Sequence, residues 1–239
     1  MQSGQNLNRI HRLLTIQTII IILLSVNRLS SLTLGYVAAN EFLRWVDFNN
    51  MLLLPLVSLV AFYFLKETLA QDEPARTSGA YRAVGLLFVI GIYLFGVGYG
   101  DHEVTNYLHT RFCSQETNSD LCRIVIFNDD EFSHWVWFAG FVLINLVLLL
   151  TQAIFPYAGA MRGHDSGFMI ANGLFVALGI FANLAFEQIG LDLYIVALLA
   201  FLAAGLWWRY GRQPLFLYYV TAYWVGLIGT AIYKAVISL

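Results

Sequence analysis

Two short stretches of the sequence combine carboxylates with histidines at spacings that could hold a metal ion. In NDDEFSHW, residues 128–135, Asp130 precedes His134 by four positions and Glu131 precedes it by three. Residues three or four apart lie on the same face of a helix, so either carboxylate could share an ion with His134. Zinc and similar cations bind nitrogen and oxygen ligands of this kind. We therefore predict His134 and Glu131 as metal ligands, and Asp130 and Glu131 as catalytic carboxylates.

The stretch GYGDHEVTNYLH, residues 98–109, carries two further histidines. His102 and Asn106 are four positions apart and face the same way on a helix, whereas His109 lies two turns further on. Two turns correspond to about 10 Å along the axis, so a straight helix would not bring both imidazoles to one ion. We predict His102 as a metal ligand and His109 as a supporting polar residue.

We expect further polar residues to lie at the same level as these histidines and carboxylates. The segment FEQIGLD, residues 186–192, supplies Glu187 as a fourth predicted metal ligand. The segment NEFLRWVDFNN, residues 40–50, brings acids and amides to the start of an apolar span. With His109, the predicted supporting polar layer contains Glu41, Asp47, Asn50 and Glu103. The alternative is a solvated acidic rim, because short helical hairpins also place several acidic loops at one level.

The composition indicates that these residues belong to an integral membrane protein. The chain is 59% hydrophobic and 12% charged, with a mean hydropathy of +0.68. A soluble protein of this composition could not cover its surface with polar groups. The apolar runs are continuous for about 20 residues and show no period-two alternation, so helices rather than barrel strands are predicted.

We predict an all-α integral membrane protein with seven transmembrane helices in a single polytopic domain, residues 1–239. The first span contains Arg28, which needs a carboxylate partner or a water-filled cavity. The alternative is therefore a shorter first helix that ends near Val26 and is followed by an interfacial segment. The predicted spans are roughly 13–38, 50–66, 83–100, 135–156, 167–187, 191–208 and 215–237.

The distribution of charge predicts the orientation of the chain. With the N-terminus inside, eight of the 13 Lys and Arg and four of the 15 Asp and Glu fall on the inner side. The balance is +4 inside and −6 outside, which satisfies the positive-inside rule with the N-terminus inside and the C-terminus outside. The histidine-bearing stretches above then lie outside. The two remaining histidines, His11 and His164, are expected to be solvated on the inner side.

Both cysteines, Cys113 and Cys122, fall in the predicted outer loop between the third and fourth spans. An extracytoplasmic loop is in an oxidising compartment, so we expect a disulfide that ties the ends of these two helices together, with two free thiols as the alternative. Metal binding by the cysteines is disfavoured, because their spacing is too long for the usual C-x₂₋₄-C unit.

Three segments resemble alkaline ceramidases and their relatives among membrane hydrolases, the CREST superfamily. That family has an E-F-x-N-x-x-S-N helix start, a G-S-x-x-F-H helix end and an L-D-E segment. Here NEFLRWVDFNN, GVGYGDH and FNDDEF follow in the same order over residues 40–135. The resemblance implies a seven-helix zinc amidase in which His102 binds the metal, Asp130 helps to hold the zinc-bound water and Glu41 belongs to a supporting layer. The family's final H-x-x-x-H helix is missing, because the last span here has no histidine.

These observations predict a metal-dependent membrane enzyme, a hydrolase acting on a lipid-like substrate at the outer face. Zinc is the first choice of metal, with calcium or iron as alternatives. The expected partners are membrane lipid and the substrate, without nucleic acid, in a plasma, inner or endomembrane. One alternative is a non-enzymatic seven-helix scaffold, sensor or complex subunit with an acidic outer surface. A lesser alternative is a di-iron oxidoreductase, since Glu131-x-x-His134 has the ligand spacing of such sites, although those sites use the unit twice.

Overall fold

The computed structural model describes residues 2–70, 76–115, 117–186 and 190–237. In this part of the chain the regular secondary structure is helical, and seven helices are long and apolar enough to cross a membrane. The predicted number of long apolar helices is therefore confirmed. The helices are α1 (Gln2–Leu29), α2 (Trp45–Leu69), α3 (Gly79–Cys113), α4 (Asp120–Ile154), α5 (Gly163–Phe186), α6 (Leu191–Tyr210) and α7 (Pro214–Ile237).

The first helix ends at Leu29, so the range 13–38 is wrong at its C-terminal end and the shorter alternative is closer. Polar side chains at this end bond to other parts of the chain. Asn27 donates to the Val46 carbonyl at 3.0 Å and to Asn50 Oδ1 at 2.6 Å. Thr33 in turn donates to Asn27 Oδ1 at 2.6 Å, which fixes the non-helical segment that follows.

Helices α3 and α4 are much longer at one end than the apolar runs predicted. The ranges 83–100 and 135–156 left a loop of more than 30 residues, whereas α3 continues to Cys113 and α4 begins at Asp120. Hydropathy did not reveal these turns because they contain the acids and histidines of the candidate site. Most of the expected polar loop is therefore rigid helix that can position ligand atoms.

In the described parts of the chain, three of the helices contain a π-helical segment, and each such segment carries a polar residue. The segments are Asn49–Leu53 in α2, His109–Cys113 in α3 and Asn128–Phe132 in α4. A π-helical turn holds more residues than an α-helical turn, which shifts the direction of the side chains beyond it, and such turns are frequent at functional sites. Asn50 and Asp129 are buried within their segments.

The chain packs as two compact units. The first consists of Met1–Ile21, Ala61–Gly85 and Asn145–Leu239, and the second consists of Ile22–Val60 and Leu86–Ile144. In the first unit, Tyr219 of α7 donates a 2.7 Å hydrogen bond to Asn145 in a fully buried position. The second unit contains all three π-helical segments and both cysteines.

Within the second unit, α3 and α4 make close backbone contact at two glycines. A Cβ atom added to Gly98 would overlap the backbone of Trp137, and one added to Gly140 would overlap the backbone of Phe95. Small residues let membrane helices approach to this distance. By contrast, Gly96, one of the glycines of the same α3 stretch, has nothing within 4 Å of an added Cβ.

These contacts predict a difference between two neighbouring alanine substitutions. Gly98→Ala must move α4 away from α3, so we expect a loss of about 1–3 kcal/mol in the free energy of unfolding. Gly96→Ala adds the same methyl group into open space and should leave stability unchanged or slightly raised. Thermal unfolding of both variants in detergent measures the difference. Equal stability of the two variants would contradict the close packing of α3 against α4.

Candidate metal centre

A buried carboxylate, Asp129, lies between two histidines in the second unit. The Asp129 side chain is only 2% exposed. Its Oδ2 atom is 2.8 Å from His109 Nδ1, and its Oδ1 atom is 3.2 Å from His102 Nδ1. Both histidines lie on α3, whereas Asp129 lies in the π-helical segment of α4. One carboxylate therefore links two imidazoles that are seven positions apart in the sequence.

Asp130 completes a group of ligand atoms on the Oδ2 side. Its Oδ1 atom is 3.9 Å from His109 Nδ1, and its side chain is 57% exposed. Ligand atoms of His109, Asp129 and Asp130 lie within 4.8 Å of one another, so together they could hold a metal ion. Among the described residues, no other group of three or more His, Cys, Asp or Glu side chains meets this distance.

The distances on the two sides of Asp129 suit a small divalent cation, whereas Asp130 is farther from His109, at 3.9 Å. Two ligands about 2.1 Å from zinc lie about 3.0–3.4 Å apart in octahedral or tetrahedral geometry. The separations of 2.8 and 3.2 Å on the two sides of Asp129 are near that range. The 2.8 Å separation is also that of a hydrogen bond between an imidazole and a carboxylate. Metal measurements on the purified protein distinguish these two arrangements.

The hydrogen bonds of Asp129 leave one of its oxygens unsatisfied. His102 Nδ1 pairs with the backbone carbonyl of Asp129 at 3.4 Å, and Oδ1 has no hydrogen-bond partner despite its 3.2 Å distance from that nitrogen. Oδ2 accepts from Asn106 Nδ2 at 3.4 Å, and Ser133 donates to the backbone carbonyl at 2.9 Å. Oδ1 instead makes a close contact with the His102 imidazole, on the side of the carboxylate away from His109.

The residues predicted as metal ligands are only partly brought together. His102 and His134 are neighbours, with ring centroids 4.8 Å apart. Glu131 is exposed and is not in the group of ligand atoms described above. Glu187 lies outside the described residues. The predicted pairing of Glu131 or Asp130 with His134 assumed a straight α-helix, whereas both carboxylates lie in a π-helical turn that changes their direction.

We predicted His109 only as a supporting residue, but it is one of the three residues that could hold the ion. Asp129 was not predicted as a site residue. On a straight helix, Asp129 would point about 100° away from Asp130 and so away from the expected ion. The prediction that His102 and His109 could not serve one ion is consistent with the structure, because His102 faces the opposite oxygen of Asp129. The sequence does mark the region, since three consecutive acids fall inside an amphipathic stretch.

The predicted supporting residues form buried ion pairs and hydrogen bonds. Glu103 Oε1 lies 2.6 Å from Arg28 Nη2, which identifies the partner that Arg28 requires. Asp47 accepts two hydrogen bonds from Arg44, at 2.7 and 2.8 Å, and this bonding raises the pKa of the Arg44 guanidinium. The Arg44 guanidinium therefore stays charged throughout the physiological pH range.

The backbone around Glu41 is tied to α3. Glu41 has a φ of 58°, and its carbonyl accepts a 2.7 Å hydrogen bond from the Tyr107 hydroxyl and another from Arg111. The Glu41 side chain itself is exposed. Glu41 therefore supports the second unit through its backbone rather than through its carboxylate.

A cavity of about 250 Å³ lies on the other side of α3 from the histidines. It is mainly apolar, but two of the supporting carboxylates, Asp47 and Glu103, line it. Glu103 and Tyr107 are turned by about 100° and 140° from His102 around the helix, so the cavity is separate from the metal centre. The predicted supporting residues therefore lie between the metal centre and the cavity, which are two distinct features of the second unit.

The predicted disulfide is confirmed, because Cys113 and Cys122 are bonded. Cys113 is the last residue of the α3 π-helical segment that begins with His109, and Cys122 lies in the first turns of α4. Both sulfurs are buried with Val125, against Leu108. The bond therefore holds the end of α3, including His109, against the start of α4.

We expect reduction of this disulfide to weaken metal binding. The chain-entropy model assigns about 3 kcal/mol to a bridge that closes a loop of this length. Without it, His109 is held less firmly beside Asp129, and loss of such support lowers metal affinity by about 10-fold. Zinc titration before and after reduction measures the change, and a Cys113→Ser/Cys122→Ser variant should reproduce it. Unchanged affinity in both samples would show that the bridge does not position His109.

The first unit contains a second histidine–carboxylate cluster. His11 Nε2 and His164 Nε2 lie 3.1 and 3.0 Å from the same oxygen of Asp165. His11 is largely buried, so the expectation that it is solvated is wrong, whereas His164 is exposed as expected. The second oxygen of Asp165 accepts from the Arg162 backbone at 2.8 Å. Unlike those of His109, Asp129 and Asp130, the ligand atoms of this cluster do not meet the distance for a metal site, so we describe it as a structural ion pair.

Comparisons with known protein families, with curated proteins and with solved structures found no match for this chain. The resemblance to alkaline ceramidases, and the roles it implies for His102, Asp130 and Glu41, therefore stays a prediction. Over its described residues, the chain is an all-helical protein with seven helices long and apolar enough to cross a membrane and with residues that could hold a metal ion.

Proposed function

We propose that this chain is an integral membrane hydrolase that depends on a divalent metal, with zinc as the metal. The observation that carries the proposal is the buried Asp129 carboxylate, which lies against an imidazole on each side and beside the Asp130 carboxylate. His109, Asp129 and Asp130 would bind the ion, and His102 would orient Asp129 from its other oxygen. Zinc binds imidazole nitrogen and carboxylate oxygen, and a catalytic zinc site has three protein ligands and one open position.

The exposure of Asp130 would allow a bound ion at this site to act on a substrate. A bound zinc ion would lower the pKa of its water to about 7 and polarise a substrate carbonyl. Asp130 is more than half exposed, so the ion would lie at the edge of the protein, where a substrate can reach it. Glu131 is exposed on the same π-helical segment and is the carboxylate that remains to act as a general base.

The exposed aromatic side chains near Asp129 and Asp130 support the proposal of a lipid-like substrate. Phe127, Phe132 and Trp135 are all exposed and flank Asp129 and Asp130 along α4. Exposed aromatic rings of this kind are common at a membrane interface. The charge distribution supports an extracytoplasmic position for the site, and the ceramidase resemblance supports an amide or ester of a lipid as the substrate.

The test is hydrolysis of a panel of lipid amides and esters by the purified protein in lipid nanodiscs. We expect turnover that a chelator abolishes and added zinc restores, and that His109→Ala reduces by at least about 100-fold. The matched control is His164→Ala, which removes an exposed histidine from the first unit and should retain full activity. Metal binding without chelator-sensitive turnover would reject the enzyme and favour the metal-binding scaffold or sensor.

A further inference from the structure

The cavity beside α3 combines buried carboxylates with exposed apolar side chains. It has a volume of about 250 Å³ and lies within the second unit. We propose that it binds one neutral medium-chain alcohol, with the hydroxyl group against Glu103 and the aliphatic chain along the apolar wall. This ligand site goes beyond the proposed hydrolase and needs no metal, because the residues that line the cavity do not include His109, Asp129 or Asp130.

The wall of the cavity is apolar over most of its surface. Its apolar side chains come from the segment before α2, from α2 and from α3, and they are Phe42, Leu43, Met51, Val104, Leu108 and Phe112. Phe42 and Phe112 are 72% and 61% exposed, so the cavity opens to the outside of the protein where these rings lie. Pockets for small ligands are commonly about 300–1,000 Å³, so this volume suits one short aliphatic chain rather than a two-chain lipid.

Glu103 brings an acceptor without a donor to the buried part of the cavity. Its side chain is 1% exposed, and its Oε1 atom accepts a 2.6 Å hydrogen bond from Arg28. Its Oε2 atom is buried and has no hydrogen-bond partner among the described residues. A buried carboxylate oxygen without a donor is costly, and a ligand hydroxyl in the cavity would donate to it. We therefore infer a ligand with a donor group rather than a pure hydrocarbon.

The other buried carboxylate of the cavity, Asp47, does not need the ligand. Its Oδ2 and Oδ1 atoms accept hydrogen bonds from Arg44 at 2.7 and 2.8 Å. An ionised carboxylate only accepts hydrogen bonds, so a group that satisfies Glu103 Oε2 must be a donor. Among the described residues that line the cavity, Glu103 is therefore the one that selects the head group of the ligand.

The charges around the cavity favour a neutral donor. Asp47 and Glu103 each form an ion pair with an arginine, and Arg111, which also lines the cavity, adds a third guanidinium group. An ammonium head group would bring a further positive charge to carboxylates that already have their cations. A carboxylate head group would lie beside two buried carboxylates and could not donate to Glu103. A hydroxyl group satisfies the Glu103 oxygen without adding charge.

The experiment is photolabelling of the whole protein in nanodiscs after a chelator has removed any metal. The probe is a medium-chain alcohol with a diazirine in the middle of its chain, and mass spectrometry locates the label. We expect saturable labelling at Met51, Val104 or Leu108, which unlabelled decanol abolishes. Methoxydecane has the same chain without the donor, so at equal concentration in the membrane it should compete at least about 10-fold more weakly. Decylamine and decanoate should also compete more weakly than decanol.

A pair of tryptophan substitutions tests the position of the site. Val104→Trp fills the cavity from a half-exposed position, so it should reduce labelling by at least about 10-fold. Val97→Trp is the matched control, because Val97 lies about two turns earlier on the same face of α3, is 38% exposed and is not among the lining residues. It should label as the wild-type protein does. If Val104→Trp does not fold, Met51→Trp with Leu52→Trp as its control tests the same wall from α2.

Label spread over the membrane-facing surface, or labelling that the cavity-filling variant leaves unchanged, would overturn the site. Equal competition by methoxydecane and decanol would overturn the role of Glu103, and stronger competition by decylamine or decanoate would overturn the neutral head group. The labelling needs neither metal nor turnover. Hydrolysis without specific labelling would therefore reject only this site, whereas specific labelling without hydrolysis would reject only the proposed activity.

Discussion

Asp129→Asn is expected to lower the affinity of the protein for zinc by at least about 100-fold. Asp129 contributes an oxygen to the ion beside His109, and replacement of a ligand costs more than the 10–100-fold typical of a supporting residue. Asparagine keeps the size of the side chain and can still bond to Asn106, so the helix packing should be retained. Competition with a fluorescent zinc chelator measures the affinity.

Asp120→Asn is the matched control for this substitution. Asp120 is also on α4, but its side chain is 94% exposed and its ion pair with Arg123 is 3.4 Å long. We expect this variant to bind zinc as the wild-type protein does. Equal zinc affinity in the Asp129 and Asp120 variants would remove Asp129 from the centre.

Arg28→Met is expected to have the largest effect on stability. Glu103 is 1% exposed and its Oε1 atom lies 2.6 Å from the Arg28 guanidinium, so methionine would leave a buried carboxylate without its cation. Removal of one partner from a buried ion pair costs about 3–5 kcal/mol, and we expect the lower end because Arg28 is about one-third exposed. Thermal or denaturant unfolding in detergent measures the loss.

A second substitution shows whether the stability is lost because Glu103 becomes an unpaired charge or because the packing around the pair changes. Glu103→Gln in the Arg28→Met background removes the unpaired charge, so it should restore most of the lost stability. Arg123→Met, which breaks the exposed pair with Asp120, should change stability by less than about 1 kcal/mol. If the double variant is no more stable than Arg28→Met alone, the buried charge of Glu103 is not the cause.

The number of helices was predictable because the apolar runs are long and nearly free of charge. The ends of the helices were not predictable, because polar residues can continue a helix when they have partners inside the protein. Asn27 and Arg28 illustrate this at the end of α1, where both side chains bond to residues far along the chain. Hydropathy does not contain that information.

The site was predictable in its region but not in its geometry. His102 and His134 were expected to be near one another, and their rings are in contact. The central position of Asp129 depends on π-helical turns in α3 and α4, which change the directions of side chains relative to a regular helix. A spacing rule of 3.6 residues per turn relates residues of one helix, so it could not pair Asp129 of α4 with His109 of α3.

X-ray absorption spectroscopy of the zinc-loaded protein tests the metal centre most directly. The protein should be purified without a histidine tag, so that the imidazole signal comes from the chain itself. We predict a first shell of nitrogen and oxygen atoms at about 2.0–2.1 Å, with outer-shell scattering from imidazole that weakens in His109→Ala. Protein that retains no zinc, or a spectrum without imidazole scattering, would contradict the account.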